Sequence, residues 1–277
     1  MLSFLRNSPF AVQAHFDSSI VLTFAAPQEQ LKHLIPPCLE LDIFEDELGK
    51  KWAFIAVAMV QTKNLRPKGF PAFLGNDFFL IGFRVFVRYT NNAGKRLRGL
   101  YIIKSETDKK KMQLLGNFFT KYKYAHTDIN LTKTKNATEN TTNIKINSKK
   151  SGFFIEIERK NNDDLAGNLA GNLVDNPVDN STIKLPENSP FKDWKQARRF
   201  AGPLPFTFSY NAENQNVTIV EGVREDWTPV PVSVLHHEVA FLKTLNIKDL
   251  ILANAFVVEN IPYFWKKGKI EQWKNEL

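Results

Sequence analysis

The sequence predicts an α+β protein that is mainly antiparallel β: a single closed or nearly closed β-barrel with a few short flanking helices. Three observations favour this class. Runs rich in β-branched and aromatic residues recur along the chain. Asparagine, glycine and proline separate many of these runs. Helical periodicity is confined to three or four short segments. Because 277 residues suit one barrel, we expect a single domain over residues 1–277.

Strands are expected along most of the first half. Residues 18–26 (SSIVLTFAA) are β-branched and aromatic. Residues 51–65 (KWAFIAVAMVQTKNL) form a nearly continuous apolar run, which is typical of a strand buried on both faces. Residues 83–89 alternate with period two, and a turn with the sequence NNAG leads to a second strand at 97–105. These last two segments predict a β-hairpin.

Short helices are expected between the strands. A helical turn precedes Pro36, and Asp108 can cap a helix over residues 109–119. Ser189 is a candidate N-cap of another short helix, with Pro190 at its first position. The last third returns to strand-like segments, which are PLPFTFSY, QNVTIVEGV, TPVPVSVLH and LILANAFVVENIPYFW.

The composition changes within about residues 130–188, where asparagine, threonine and lysine dominate. Residues 152–159 (GFFIEIER) alternate and predict a strand. Residues 165–180 contain LAGN twice and VDN twice, which is too short a duplication for a structural repeat. Strand-like sequence continues on both sides. We therefore expect a low-complexity, Asn-rich mobile loop inserted into the one domain.

Composition limits the compartment and the partners. Cys38 is the only cysteine, so no intramolecular disulfide can form and a reducing compartment is expected. The first residues lack a signal-peptide pattern, and no run of ~18 apolar residues occurs. We expect a soluble, cytoplasmic protein without a membrane partner.

The formal net charge of +8 raises the question of nucleic-acid binding. Between Lys104 and Lys150, eleven lysines stand against four acidic residues, so most of the excess lies in one segment. No nucleic-acid-binding motif accompanies these lysines, and arginines are not interleaved with them. We therefore expect no nucleic-acid partner.

Common catalytic and metal-binding motifs are absent from the sequence. None of the five histidines has the spacing of metal ligands, so no metal site is expected. The sequence contains no GxSxG, no GxGxxG after a strand and no P-loop. We expect no cofactor.

Arg84 and Arg88 lie on one face of the predicted strand 83–89. An arginine that points into a barrel is unfavourable unless it meets a carboxylate or an anionic ligand. Two interpretations stay open. Either the arginine face is solvated, or the alternate residues from Phe83 to Tyr89 face outer helices and the arginines line the lumen. The second arrangement would suit an acidic small molecule.

The segment GNFFTKYKYAH follows the predicted helix 109–119 directly and places Lys121 and Lys123 beside Tyr122 and Tyr124. A lysine amine is nucleophilic at neutral pH only if burial or a nearby cation lowers its pKa from ~10.4. Residues two apart in a strand share a face, and a face with two lysines is usually exposed. A charged surface strand and a reactive lysine are the two alternatives.

Several segments occur in an order that is more informative than any one of them. They are HLIPPCLELDIFED, KWAFIAVAMVQTKNLRPKGFP, GFRVFVRY, RGLYIIKSETDKKKMQLLGNFFTKYKYAH, REDWTPVPVSVL and VVENIPYFWK. Their order resembles the acetoacetate decarboxylase-like superfamily, specifically its uncharacterised bacterial branch of conserved domains of unknown function. The resemblance covers most of the chain outside the Asn-rich insertion.

The resemblance implies a barrel around a buried pocket. We expect this pocket to bind a small organic molecule, which would be an acidic one if Arg84 points inward, with Arg84, Tyr122 and Tyr124 as ligand-binding residues. In the decarboxylase, a Pro-Lys-Lys turn carries a lysine that forms a Schiff base with a β-keto acid. The corresponding turn here contains Lys121 and Lys123 without that proline. The alternative function is therefore a Schiff-base-forming lyase that acts on a small oxo acid through Lys121 or Lys123 as catalytic residue.

The sequence also departs from the family pattern in the strand before Arg84. Leu80, Ile81 and Gly82 stand where relatives tend to have a glutamate and an asparagine. A pocket without that acid lacks one of the groups expected to position a substrate. The resemblance thus implies binding of a small molecule in preference to decarboxylation, and it leaves a homo-oligomer open.

Overall fold

The computed structural model describes residues 3–161, 184–224 and 227–273. In these ranges, sixteen strands form two β-sheets, and three α-helices connect or flank them. The strands are β1 (Val12–Pro27), β2 (Glu40–Leu41), β3 (Phe44–Glu45), β4 (Lys51–Pro67), β5 (Asn76–Thr90), β6 (Arg96–Thr107), β7 (Tyr124–His126), β8 (Asn130–Asn136), β9 (Thr141–Ser148), β10 (Phe153–Lys160), β11 (Phe206–Asn211), β12 (Asn216–Arg224), β13 (Val230–Pro231), β14 (Ser233–Val239), β15 (Ile251–Trp265) and β16 (Lys269–Gln272). The helices are α1 (Lys110–Phe119), α2 (Trp194–Ala201) and α3 (Ala240–Thr244).

The larger sheet has twelve strands and the order β13-β15-β1-β4-β5-β6-β11-β12-β16, with β2, β3 and β7 paired at its sides. Strand β12 also pairs with β15, so the pairings lead from β15 through β1 and β6 back to β15. All pairings are antiparallel except β6 with β7 and β6 with β11. The predicted mainly antiparallel α+β class is confirmed. Closure of the sheet into a barrel stays a prediction.

The larger sheet carries a hydrophobic core on each face. On one face, Ile55 and Phe83 belong to a core shared with Ile144 and Ile155 of the smaller sheet, whose order is β14-β10-β9-β8. On the other face, Phe54 belongs to a second core that includes α2. Because side chains alternate across a strand, β4 and β5 supply apolar residues to both faces. This agrees with the prediction that residues 51–65 form a strand buried on both sides.

A β-bulge interrupts the pairing of β5 with β6. Phe83 pairs with Lys104 and Arg84 pairs with Ile102, so Ile103 is an extra residue in β6. The alternation of β6 therefore changes phase at this point. Ile102 and Ser105 both line the face of the second core, whereas Lys104 turns toward the core between the sheets.

The structure corrects the expected extent of the Asn-rich loop. Residues 130–136 and 141–148 form β8 and β9, which pair with each other, and β9 pairs with β10. The polar composition hid the alternation of Ile144 and Ile146, whose side chains enter the core between the sheets. The strand predicted at 152–159 is confirmed as β10. The LAGN and VDN duplications at 165–180 lie outside the described residues.

Both predicted helices form, but both predicted caps are wrong. The carboxylate of Asp108 accepts a hydrogen bond from the Phe79 backbone N–H (2.7 Å) and does not cap α1. Asp193 caps α2 by accepting from Gln196 N–H (2.7 Å), while the Ser189 hydroxyl donates to a distant backbone carbonyl. Long-range partners compete for these side chains, which local sequence cannot show. The helical turn predicted before Pro36 occurs as two 3₁₀ turns, Gln28–Gln30 and Lys32–Leu34.

In the ranges that the structure describes, every helix is too short or too polar to cross a membrane.

Candidate ligand-binding site

A cavity of about 490 Å³ lies on the face of the larger sheet that carries the second core. This volume is within the range of small-molecule sites. Strands β1, β4, β5, β6 and β15 form its floor, and α1 contributes one wall. Its walls are mainly apolar and aromatic. Representative lining residues are Val21, Val60, Phe78, Phe86, Leu100 and Trp265.

Arg84 faces this cavity because side chains alternate between the two faces of β5. Phe83 and Val85 enter the core between the sheets, so Arg84 and Phe86 face the cavity. Of the two interpretations of the arginine face, the one in which an arginine lines an internal space therefore holds for Arg84. The opposite face of β5 packs mainly against the smaller sheet, and Phe83 also contacts Phe241 of α3, with ring centroids 4.7 Å apart.

Arg88 has a different environment. Its Nε lies 2.6 Å from Oδ1 of Asp42, whose side chain is completely buried, and Arg98 bonds the other oxygen of the same carboxylate. Arg88 does not line the cavity. Arg84 and Arg88 thus lie on the same face of β5, but Arg84 faces the cavity and Arg88 pairs with Asp42.

The guanidinium of Arg84 faces the cavity without a protein anion beside it. Its Nε has no hydrogen-bond partner among the described residues. In the described ranges no carboxylate lies within 4.0 Å of its nitrogens, and no Asp, Glu, His or Cys lines the cavity. Burial lowers the pKa of Arg84, but an arginine side chain remains protonated in proteins. The cavity thus contains a fixed positive charge.

Gly82 makes room for this guanidinium. A Cβ atom at Gly82 would lie 3.0 Å from Nε and 3.2 Å from Nη2 of Arg84. The guanidinium therefore lies over the backbone of its own strand. An acidic side chain in place of Gly82 would occupy the space that Arg84 now uses.

Tyr122 and Tyr124 line the same cavity, with ring centroids 6.5 Å apart. Helix α1 fixes Tyr124 in two ways. The amide of Asn117 accepts from Tyr124 N–H and donates to Tyr124 C=O, both at 2.8 Å. Gly116 allows the ring to lie against the helix, because a Cβ there would come within 2.3 Å of Cδ2 of Tyr124.

Burial raises the pKa of Tyr122, and burial raises that of Tyr124 to about 12.

We expect the free energy of unfolding to fall as the pH rises from about 10 to about 12. The folded state keeps Tyr124 protonated up to about 12, whereas the unfolded chain releases this proton at about 10. The contribution is fully present below pH ~10 and is lost toward the folded pKa. Urea unfolding followed by circular dichroism at each pH measures this decline. Tyr124→Phe should show a shallower decline, and an unchanged slope would contradict the assignment.

The structure does not bring Lys121 or Lys123 to the cavity. Lys121 is half-buried, and burial lowers its pKa. Lys123 is exposed and has a left-handed backbone with φ of 53°. The two tyrosines occupy the inner side of this segment and the lysines do not. Among the described lining residues the only lysine is Lys266, whose Nζ lies 2.9 Å from Oε2 of Glu221.

Tyr263 is a lining residue that sequence reasoning missed. Its ring stacks on Phe16 with centroids 4.9 Å apart and lies 4.2 Å from that of Trp265. Gly222 of the neighbouring strand makes room for it, because a Cβ there would come within 2.0 Å of the Tyr263 hydroxyl oxygen. The alternating aromatics of IPYFW were the available signal, but only the pairing of β15 with β12 shows which of them face the cavity.

Comparisons with known proteins agree with this architecture. The model of the DUF2071 family, described as an uncharacterized conserved protein, matches residues 13–228. No curated protein sequence matches the chain. An acetoacetate decarboxylase-like enzyme from Sphingomonas wittichii RW1 has a similar structure, with a TM-score of 0.53 and 10% identity over 96% of this chain and 93% of that chain.

The enduracididine biosynthesis enzyme MppR, in a complex with pyruvate, is also similar. Its TM-score is 0.51 and its identity 8%, over 96% of this chain and 92% of that chain. Identities this low establish a common fold and no common chemistry. The predicted superfamily is confirmed: this chain belongs to the DUF2071 family and has the fold of the acetoacetate decarboxylase-like proteins.

Proposed function

We propose that this protein binds a small organic acid, with the carboxylate on Arg84 and the apolar remainder against the walls of the cavity. The observation that carries this proposal is the guanidinium of Arg84, which faces a mainly apolar cavity with no carboxylate within 4.0 Å in the described part of the chain. A charge removed from water is unfavourable by several kcal/mol unless it is paired. A ligand carboxylate supplies the missing partner, and its planar shape suits a guanidinium.

The tyrosines add orientation. Because burial raises their pKa values, Tyr122 and Tyr124 keep their hydroxyl protons at neutral pH and can donate hydrogen bonds to a bound carboxylate. We further propose that the strands from β15 round to β12 form a barrel that encloses the ligand. The structure of similar fold that contains pyruvate, itself a small carboxylate, supports the choice of ligand class.

Binding is favoured over Schiff-base chemistry because neither Lys121 nor Lys123 lines the cavity. A nucleophilic amine has to reach the carbonyl carbon of its substrate. With both lysines outside, the geometry supports recognition of an acid and gives no support to a covalent intermediate at either position.

Arg84→Met should weaken the binding of carboxylates by about 10-fold to 100-fold, because a hydrogen-bonded interaction with a charged group contributes about 1.5–3 kcal/mol. Titration calorimetry with pyruvate, octanoate and decanoate measures the affinities. Methionine retains most of the side-chain volume, so the cavity keeps its shape.

Two controls sharpen this test. Arg96→Met makes the same change in an exposed arginine that pairs with Glu40, and it should leave the affinities as they are. Octanamide replaces the carboxylate by a neutral group and should bind more weakly than octanoate. If the wild-type protein binds the amide as tightly as the acid, or if Arg84→Met binds octanoate as tightly as the wild type, the proposal is wrong.

A further inference from the structure

A second cavity of about 340 Å³ adjoins the first and is rich in arginine. The two cavities share Gly202, Pro203, Leu204 and Trp227 as lining residues. The rest of the second cavity is lined by Arg98, Arg198, Arg199, Pro205 and Pro229. Three arginines therefore line a cavity at one end of the space that Arg84 faces.

The pairing of β5 with β6 sets the distance between Arg84 in the first cavity and Arg98 in the second. Arg98 pairs with Arg88, and Leu100 pairs with Phe86 in the β5–β6 ladder. Arg84, Phe86 and Arg88 alternate along one face of β5, so Phe86 and Leu100 lie between Arg84 and Arg98. At ~3.3 Å per residue, the four-residue step from Arg84 to the level of Arg98 is about 13 Å. An apolar strip of the main cavity thus separates two positive regions.

Arg98 is held rigidly at its end of this strip. Its Nε donates to Asp42, its Nη2 donates to the carbonyl of Phe200, and its guanidinium lies 4.3 Å from the centroid of the Phe200 ring. Asp42 also binds Arg88. One carboxylate is therefore shared by two guanidiniums, which leaves a net positive charge.

Arg198 and Arg199 add to this excess. Both are exposed side chains in the last turn of α2, and no carboxylate of the described residues lies within 4.0 Å of either. Cations are favourable at a helix C-terminus, which accounts for their place in the helix. It does not account for their convergence with Arg98 on a single cavity. Convergent guanidiniums are a typical arrangement for binding oxyanions.

We propose that the ligand is an elongated dianion. One carboxylate binds Arg84, an apolar middle lies over Phe86 and Leu100, and a second terminal oxyanion binds Arg98, Arg198 and Arg199. The proposal rests on the proposed function, to which it adds the second charged end. The shared chemistry of that end is an oxyanion, which a carboxylate or a phosphate group can supply.

The test is calorimetric titration of the full chain with acids of matched length. Octanoate and decanoate are the monoanions, suberate, sebacate and dodecanedioate are the dicarboxylates, and the ω-phosphono analogue of decanoate carries a phosphate-like end. The best dianion should bind about 10-fold more tightly than the monoanion of the same length. The series should show an optimal length, and comparison of sebacate with the phosphono acid identifies the preferred oxyanion.

Arg198→Gln combined with Arg199→Gln should bring the ratio of dianion to monoanion affinity close to one. The matched control is Lys192→Gln combined with Lys195→Gln, which removes two exposed positive charges at the start of the same helix, away from both cavities. The control should retain the wild-type ratio. A weaker preference for dianions at high salt is also expected, because exposed charges are screened.

The outcomes separate the two proposals. If monoanions bind through Arg84 but dianions bind no more tightly, the second subsite is disproved and the proposed function stands. The same conclusion follows if the lysine control lowers the ratio as much as the arginine variant, because the preference then reflects general charge. If no acid of the series binds, the proposed function fails and the dianion proposal fails with it.

Discussion

Asp42→Ala should lower the free energy of unfolding by about 3–5 kcal/mol, because it leaves the charges of Arg88 and Arg98 without their shared anion. The side chain of Asp42 is 0% exposed, whereas those of Arg88 and Arg98 are 32% and 26% exposed. The two guanidiniums would then repel each other in a place that water reaches only in part. Urea unfolding followed by circular dichroism measures the loss.

Glu40→Ala is the matched control for this experiment. Glu40 lies two residues away and pairs with Arg96, but its side chain is 64% exposed. An exposed ion pair contributes at most about 1 kcal/mol. A loss below about 1 kcal/mol for Asp42→Ala would mean that the carboxylate does not hold the two arginines together.

Phe54→Ala should destabilise the protein by about 3–5 kcal/mol, because it opens a void in the second core. Phe54 is fully buried, and its ring stacks on Phe191 with centroids 5.5 Å apart and planes at 11°. It also contacts Phe86 and Phe200, at centroid distances of 5.8 Å and 5.2 Å. These neighbours anchor α2 and one wall of the cavity, so carboxylate affinity should fall as well.

Phe73→Ala is the control for Phe54→Ala. Phe73 is 83% exposed, and removing its ring should change the free energy of unfolding by less than about 0.5 kcal/mol. Equal losses in the two variants would show that the second core is not packed as the structure has it. Chemical denaturation of both proteins under one set of conditions gives the comparison.

The fold was predictable where the sequence pattern and the burial have the same period. The β5–β6 hairpin was foreseen because residues 83–89 alternate and turn residues follow. Helix α1 was foreseen because its apolar residues repeat at helical spacing. Strands β8 and β9 were missed because asparagine, threonine and lysine are common in loops, and few of their side chains pack in a core: Ile144 and Ile146 of β9 are buried there, and Leu131 of β8 is partly buried.

The candidate site was predictable only in part. Arg84, Tyr122 and Tyr124 were selected from the sequence, and all three line one cavity, although their role in binding stays a prediction. The separate environments of Arg84 and Arg88 depend on Asp42, which is more than forty residues earlier in the chain. Local spacing carries no signal for such a contact.

The remaining parts of the site depend on tertiary structure. Lys121 and Lys123 attracted a catalytic hypothesis because they lie in the turn that corresponds to the Pro-Lys-Lys turn of the decarboxylase, but the tertiary structure places Tyr122 and Tyr124 at the cavity and leaves both lysines outside it. The convergence of Arg98 with Arg198 and Arg199 joins a strand and a helix that are about a hundred positions apart in sequence. Neither fact follows from residue type.

The extra residue in β6 determines which polar side chains of this strand face the cavity. Beyond Ile103, the bulge places Ser105 in the cavity and turns Lys104 and Glu106, which pair at 2.6 Å, toward the opposite side. Deleting one residue at the bulge would shift the alternation that follows, because side chains of a strand change faces with every residue. Lys104 and Glu106 would then face the cavity, and Ser105 would face the core between the sheets. The bulge thus keeps the Lys104–Glu106 pair away from a cavity whose described lining contains no carboxylate.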